Sequence, residues 1–215
     1  MELRLQRLRI LTVFFPLIFF LSCDNKVLRR AVDDYYPIEV GASWLYKSDT
    51  LEIYVTVDAE TTWANQEAAL FLINGEPLYR SKLSDGVYYY FDFRVPYGGY
   101  DYPIETQYRR WLTLPLITNS NWGDVFKDSI VVAGEKVSIE HRITGRVLDV
   151  VKSNVPAGEY KDVYRVEILN VCRISSSLYY RFDSTLINEY YAPDIGLISI
   201  DSSSKKFNLQ EYQGL

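Results

Sequence analysis

Much of the chain beyond residue 40 alternates between apolar and polar positions with a period of two. The alternation is clearest at residues 51–57 (LEIYVTV), 87–95 and 136–152. This period is typical of strands with one buried face, and Tyr, a residue that favours strands, occurs 19 times in the chain. Further strands are predicted at residues 44–47, 76–83, 108–116, 160–174, 178–191, 197–201 and 205–212, while residues 66–73 are compatible with a strand or a short helix.

Turn-forming residues separate these segments, for example Asn74-Gly75 and Ser84-Asp85-Gly86. Two Pro and two Gly predict a loop at residues 96–104, residues 119–128 are rich in turn formers, and Gly145 is expected to kink or bulge the long strand at 136–152. No segment between the strands is suited to crossover helices. The pattern predicts a mainly-β protein: an antiparallel sheet, sandwich or open barrel of about ten strands, with few or no helices after the signal peptide.

The first 23 residues have a different pattern, in which three Arg precede an apolar run at residues 10–21 that ends at Ser22-Cys23. A membrane span needs about 20 apolar residues, so this shorter run indicates a signal peptide. A small residue before Cys resembles the lipobox of bacterial lipoproteins, where the Cys receives acyl chains such as palmitate. We therefore predict a lipoprotein signal peptide at residues 1–22, lipidated Cys23 with a tether through residue 34, and a single β-rich domain at 35–215. An ordinary secretory signal is the alternative.

The charge balance and the scarcity of metal-binding residues exclude several classes of function. The net charge is −5; removing residues 1–22, with three Arg and one Glu, leaves 20 basic and 27 acidic residues, a net charge of −7. We therefore predict no nucleic-acid partner, and attachment to the membrane through the N-terminal acyl chains. His141 is the only histidine and Cys172 the only other cysteine, so we predict no metal site and no cofactor. Cys172 lies in an apolar stretch and is predicted to be in the core.

The search for catalytic residues gives no complete set. His141 lies between Glu140 and Arg142 with no Gly-x-Ser-x-Gly motif, and we predict a surface or cross-strand position for it. A glycosidase needs only two carboxyl groups at a defined separation. The carboxylates considered are Asp92, Asp101, Glu105, Asp183 and Glu189; the sequence does not pair them, and we expect them to be solvated. No catalytic residues are assigned.

Residues 88–111 contain ten aromatic side chains. Alternation places Tyr88 and Tyr90 on one face of a strand and the row of Tyr89, Phe91 and Phe93 on the other. One row is expected in the core, and the other is either a second core layer or an exposed platform. Aromatic rings with polar edges suit sugars, peptides and protein interfaces. The candidate ligand-binding residues are Tyr97, Tyr100, Tyr102 and Trp111, with packing of core and loop as the alternative.

Three short segments resemble a known group of proteins. Residues 36–46 (YPIEVGASWLY) open the domain, residues 155–160 (VPAGEY) follow the long strand, and residues 190–198 (YYAPDIGLI) lie near the end. In this order after a lipobox, they resemble secreted bacterial lipoproteins of unassigned function that share a YPxxxGxxWxY start, a VPAG turn and a YYAxxxGL ending. The resemblance implies a β-rich exported domain and assigns no substrate and no catalytic residue.

From these observations we expect a non-enzymatic binding or structural module on the cell envelope of a Gram-negative bacterium, anchored by lipid to the outer membrane. Its partner would be a glycan, a lipid or a protein. The alternatives are a hydrolase of glycans that uses a carboxylate pair, and a periplasmic carrier of lipophilic cargo. Two carboxyl groups roughly 5–9.5 Å apart in a cleft would favour the hydrolase, and an apolar hollow without paired acids would favour the carrier.

Overall fold

The computed structural model describes residues 34–177 and 179–214, and these residues are folded almost entirely as β-strands. No α-helix occurs among them; in particular, they include no helix that is long and apolar enough to cross a membrane. The twelve strands are β1 (Ser43–Lys47), β2 (Glu52–Trp63), β3 (Gln66–Ile73), β4 (Glu76–Leu83), β5 (Gly86–Tyr97), β6 (Tyr100–Thr113), β7 (Asn121–Val132), β8 (Glu135–Val155), β9 (Gly158–Ser175), β10 (Tyr180–Ala192), β11 (Gly196–Ser202) and β12 (Lys206–Gln213).

All twelve strands belong to one antiparallel sheet. Its order is β6-β5-β4-β3-β2-β1-β12-β11-β10-β9-β8-β7, so consecutive strands pair with each other except β6 and β7, and the pairing of β1 with β12 joins the two halves. The sheet curls into a nearly closed barrel, in which the edge strands β6 and β7 face each other without forming a ladder. The prediction of an antiparallel β fold is confirmed, and of the three architectures considered the structure adopts the barrel.

Most strand predictions are confirmed, including β4 with its exact bounds, and residues 66–73 form a strand rather than a helix. The loop predicted at residues 96–104 is wrong. Its prolines lie within β5 and β6, and only Gly98 and Gly99, both with positive φ, turn the chain. Pro103 lacks an N–H group, but β6 is an edge strand where no further ladder needs that donor. The prolines and glycines that suggested a loop therefore belong to a β-hairpin.

Two expectations around the long strand are also corrected. Residues 121–128, predicted to be rich in turns, belong to β7; their polar residues are tolerated because β7 is the second edge strand. The register shifts of β8 against β9 occur between Val147 and Asp149 and between Val151 and Ser153 rather than at Gly145. Gly145 instead lies opposite Trp122 of β7 and accommodates its indole ring.

The buried apolar residues form two clusters. The larger cluster contains most of the buried aromatic residues, among them Trp44, Phe71 and Tyr191. The smaller cluster, which we call the seam cluster, consists of Val95, Ile104, Val132, Val137, Ile139, Cys172 and Ile174. Its members come from β5 and β6 on one side of the gap and from β7, β8 and β9 on the other, so it packs the two edges of the sheet together. Cys172 is buried, as predicted.

Candidate ligand-binding site

An apolar cavity opens on the concave side of the sheet, between β1 to β4 and β11. Its volume is about 160 Å³, similar to that of an engineered protein cavity of about 150 Å³ that accepts benzene. The cavity is partly open to solvent, so a ligand can bury an apolar segment in it while the rest of the ligand extends into the solvent. The lining residues are Tyr36, Pro37, Trp44, Tyr46, Ile53, Val55, Phe71, Ile73, Arg80, Gly196, Leu197 and Ile200.

Half of this lining comes from the first and third of the sequence segments that carry the resemblance, residues 36–46 and 190–198. Hydrogen bonds join the two segments: Trp44 Nε1 donates to the Ile195 carbonyl at 2.8 Å, and Tyr46 Oη donates to the Leu197 carbonyl at 2.7 Å. The segments are about 150 residues apart in the chain, yet β12 pairs with both β1 and β11 and so brings them close together. Residues expected only to shape turns and strand faces therefore also form one wall of the cavity.

Gly196 shows how closely these segments pack. Its φ is +83°, and a Cβ atom at this position would lie 2.9 Å from Cδ of Pro37. A positive φ favours glycine, and the neighbouring proline ring leaves no room for a larger residue. The glycine is therefore required by both the backbone conformation and the packing of the cavity wall.

Among the described residues that line the cavity, Arg80 of β4 is the one that carries a charge. Its guanidinium carbon lies 4.4 Å from the ring centres of both Phe71 and Tyr89, and Nη1 donates a hydrogen bond of 2.7 Å to Tyr36 Oη. Cation–π contacts of this kind stabilise an arginine in an apolar setting. Nε is buried and has no hydrogen-bond partner. Within the described part of the chain, Arg80 forms no ion pair.

Glu189 of β10 is a buried acidic side chain that is close enough to Arg80 for their charges to interact. Its Oε2 accepts hydrogen bonds from Trp111 Nε1 at 3.1 Å and from Tyr191 Oη at 2.5 Å. Burial raises the pKa of Glu189, against the opposing effects of these hydrogen bonds and of the positive charge of Arg80. Burial likewise raises the pKa of Tyr36, so the phenol that contacts Arg80 stays neutral.

The gap between the edge strands is bridged by a polar cluster. Arg109 of β6 contacts Glu105 Oε1 at 2.5 Å and Asp124 Oδ1 of β7 at 2.8 Å, and the Arg110 backbone N–H donates to Asp124 Oδ2 at 2.9 Å. His141 of β8 lies between Glu105 and Asn170, with each ring nitrogen 2.8 Å from an oxygen. Glu105 and His141 have no exposed side-chain surface, so neither can meet a substrate in this structure.

Two sequence expectations are corrected by the buried polar residues described above. His141 is not at the surface, although it does occupy a cross-strand position opposite Phe126 and Cys172. Glu105 and Glu189 are buried rather than solvated, because each has hydrogen-bond donors that replace water. The remaining candidates, Asp92, Asp101 and Asp183, are exposed, and two of them pair with a nearby arginine. In the two described segments, no group of three or more His, Cys, Asp or Glu residues is arranged to hold a metal ion.

The four residues predicted to bind a ligand do not form one site. Tyr97, Tyr100 and Tyr102 cluster at the β5–β6 turn, where Tyr100 is 72% exposed and its ring centre lies 6.5 Å from that of Tyr102. Trp111 lies at the other end of β6, only 9% exposed, and its ring stacks on Tyr89 at 4.9 Å. A ligand role for these residues stays a prediction.

The two aromatic rows of β5 lie on opposite faces of the strand, as the alternation predicts. Tyr89, Phe91 and Phe93 pack against the two core clusters. On the opposite face, Tyr90 forms an outer aromatic group with Trp63, Tyr79 and Tyr108. The strand periodicity indicated the two faces, but it did not indicate that Trp63 from β2 would join the outer group.

Comparisons with known proteins identify no family. No protein-family model matches the chain, and no curated protein matches it significantly. A solved structure from Parabacteroides distasonis ATCC 8503, provisionally described as a lipoprotein, is similar over 84% of this chain and 99% of its own, with 12% identity and a TM-score of 0.42. Another from Bacteroides fragilis NCTC 9343, provisionally described as an exported protein with a YmcC-like fold, is similar over 85% and 100%, with 12% identity and a TM-score of 0.38. Similarities this distant carry no argument about the function of this chain.

Proposed function

We propose that this protein is a non-enzymatic binding module of the cell envelope that takes the apolar part of a lipophilic ligand into the cavity between β1 to β4 and β11. The observation that carries this proposal is the apolar lining of a preformed, partly open cavity. Small-molecule sites are typically concave and apolar with few polar groups. Of the three partner classes expected from the sequence, a lipid-like ligand fits this lining better than a glycan or a protein surface.

The polar groups of the cavity support the same choice. Tyr46 Oη donates to the Leu197 carbonyl, and Tyr36 Oη donates to Tyr89 Oη at 2.9 Å while it accepts from Arg80. Since these hydroxyl groups already have partners, they offer little to a sugar. The described residues of the lining include no Asp or Glu, so they do not supply the carboxylate pair that glycoside hydrolysis uses.

The proposal includes attachment of the mature protein by acyl chains on Cys23 to the outer membrane. Cys23 lies outside the described residues, and the support for its lipidation is the sequence of the signal peptide. Peptide mass spectrometry of the protein from native membranes is expected to find an acylated N-terminal Cys23, together with palmitate-sized masses. An unmodified N-terminus beyond residue 23 would contradict the anchor and leave the cavity proposal to be judged separately.

Binding to the cavity is tested by calorimetric titration of residues 33–215 with octan-1-ol. We expect one alcohol per protein, and we expect Ile73→Phe, which fills the cavity, to weaken binding at least tenfold. Leu72→Phe is the matched control, because Leu72 is the adjacent residue of β3 and is not part of the lining. Absence of binding, or equal loss in both variants, would contradict the proposal.

A further inference from the structure

Arg80 is unusual among the basic side chains of residues 34–177 and 179–214, because it lies on the inner side of the sheet and forms no ion pair with an acidic residue of these segments. By contrast, Lys82, two residues further along β4, pairs with Asp34 at 2.6 Å, and the buried Arg109 pairs with two carboxylates. Burying a charge without a partner is costly. The two aromatic rings and the one hydrogen bond to Tyr36 offset part of that cost for Arg80.

Glu189 is a buried carboxylate whose charge interacts with that of Arg80, but it does not hydrogen-bond to the guanidinium. Glu189 directs its Oε2 to Trp111 and Tyr191 and forms no ion pair with Arg80 in the described residues. The guanidinium therefore retains unused donor capacity, including the buried and unpartnered Nε. A guanidinium presents its donors as a planar fork that matches carboxylate and phosphate oxygens.

We infer that the natural ligand of the cavity is an anionic amphiphile whose carboxylate or phosphate head binds Arg80 while its alkyl chain occupies the apolar lining. This inference rests on the proposed function, since it assigns the chemical class of the ligand in the same cavity. The chain packs against Ile53, Val55 and Ile73 of β2 and β3, and the head lies beside Phe71 of β3, whose ring centre is 4.4 Å from the guanidinium carbon of Arg80. A cationic head would be repelled, and a neutral head would leave Arg80 without a counter-charge.

The first experiment compares heads on one alkyl chain. Residues 33–215, which contain all twelve strands and both core clusters, are titrated by calorimetry with octanoate, octyl phosphate, octan-1-ol and octyltrimethylammonium. Acetate and inorganic phosphate test the heads without a chain. We expect the two anionic amphiphiles to bind at least tenfold more tightly than octan-1-ol, the cation not to bind measurably, and the free anions to bind far more weakly than the amphiphiles.

The second experiment assigns the selectivity to Arg80. Arg80→Met is compared with Lys82→Met, which removes the same charge from the same strand at a position outside the cavity lining. We expect the affinities of Arg80→Met for octanoate and octan-1-ol to become equal, whatever the size of the affinity for octan-1-ol, and Lys82→Met to keep the wild-type preference for octanoate; a preference for octanoate that persists in Arg80→Met would contradict the inference. Thermal unfolding of both variants verifies that they are folded, and the comparison of heads on the wild-type protein does not depend on either variant.

The outcomes separate the two proposals. If octan-1-ol binds as tightly as the anions, the inference fails and the proposed function stands. Binding of free phosphate or acetate as tight as that of the amphiphiles would contradict the proposed function, because the apolar lining would contribute nothing. If none of the probes binds, both proposals fail. A preference for octyl phosphate over octanoate, or the reverse, identifies which of the two anionic heads the site selects.

Discussion

At the scale of single residues, the inner face of this sheet is shaped by contacts between neighbouring strands, and Gly145 of β8 is an example. It pairs with Trp122 of β7, and a Cβ atom at position 145 would lie 2.0 Å from Cζ2 of the indole ring. No side chain can occupy that space without displacement of the ring. The glycine thus permits Trp122 to lie flat across the strand pair and cover the backbone beside the gap.

We expect Gly145→Ala to destabilise the domain by about 2 to 3 kcal/mol, the cost of overpacking a tight interior. Gly123→Ala is the control on the same strand pair, because its Cβ would meet only Thr144 Cγ2 at 3.7 Å; its effect should stay within about 0.5 kcal/mol. Urea unfolding measures both. In a Trp122→Ala background the cost of Gly145→Ala should largely disappear, and an undiminished cost would contradict the assigned clash.

Burial was predicted correctly from the sequence for an apolar residue in the core, such as Cys172. The prediction was wrong for polar residues that are buried, such as Glu105 and His141. Alternation identifies the residues that share a face, but it does not tell which face is inside. Glu105 and His141 fit the two-residue alternation of their strands, and so does Arg80, for which no burial was predicted. Their burial depends on partners from distant strands, such as Tyr36 for Arg80 and Asn170 for His141. That information is tertiary, so the sequence contained no local signal for the polar atoms of the cavity or of the cluster at the gap.

At the scale of elements, the notable feature is how β6 and β7 meet. Exposed strand edges carry unpaired backbone groups that invite association with other strands. Here the two edges face each other and are joined by side chains, with Asp124 of β7 accepting from both the Arg109 side chain and the Arg110 backbone. The closure of the sheet therefore relies on a few polar contacts and the seam cluster, instead of a continuous hydrogen-bonded ladder.

We expect Asp124→Asn to destabilise the domain by about 1 to 3 kcal/mol, because it leaves the buried Arg109 with one carboxylate partner fewer. Asp149→Asn is the control: Asp149 forms a two-bond pair with Arg165, at 3.0 and 2.8 Å, on a more exposed part of the sheet. Such pairs contribute about 1 kcal/mol or less. Chemical unfolding compares the two, and equal costs would contradict a special role for Asp124 in closing the sheet.

The contribution of Asp124 should also depend on pH. Burial acts to raise its pKa, but the hydrogen bonds from Arg109 and from the Arg110 backbone outweigh burial and lower the pKa below its ordinary value. A lowered folded-state pKa gives stability that is present above the unfolded-state pKa of about 3.9 and is lost as the pH falls towards the folded-state pKa. Wild-type protein should therefore lose more stability than Asp124→Asn below about pH 4, as measured by thermal unfolding across pH; parallel profiles would contradict this.

The sequence predicted the elements better than their edges. Alternation was sufficient for the strands that lie between two others, since most of their inner positions are apolar. It failed at residues 96–104 and 119–128 because β6 and β7 are edge strands, where Pro103, Gly123 and Asp128 cost little. The residues that interrupt the alternation lie in the two strands on either side of the gap. Only the strand order shows this relation.

At the scale of the whole molecule, the cavity and the gap involve different parts of the core. The cavity is lined by residues of β1 to β4 and β11, near the junction of β1 with β12, whereas the seam cluster joins β5 and β6 to β7, β8 and β9. Proteins open locally wherever few bonds hold an element in place. The gap meets this condition, because β6 and β7 share no ladder, and the cavity wall is held by paired strands.

Cys172 is placed to report this opening. It lies within the seam cluster, and burial, assisted by the negative charge of Glu105, raises the pKa of its thiol to about 11. The thiolate is the reactive form, so folded protein should react very slowly with iodoacetamide at pH 8, while separation of β6 from β7 should expose the thiol and restore an ordinary pKa of about 8.5. In residues 33–215 it is the only cysteine, so the labelling rate measures opening at this position alone.

We expect the free energy of opening obtained from Cys172 labelling to be smaller, and less dependent on urea, than the free energy of global unfolding, since only the two edges need to part. Asp124→Asn should accelerate labelling more than Asp149→Asn does, and by more than its loss of global stability accounts for. Mass spectrometry of the alkylated protein at increasing urea concentrations gives both quantities. If labelling in all three proteins follows global unfolding with the same urea dependence, the sheet does not open at β6 and β7, and the polar contacts there close it as firmly as a ladder would.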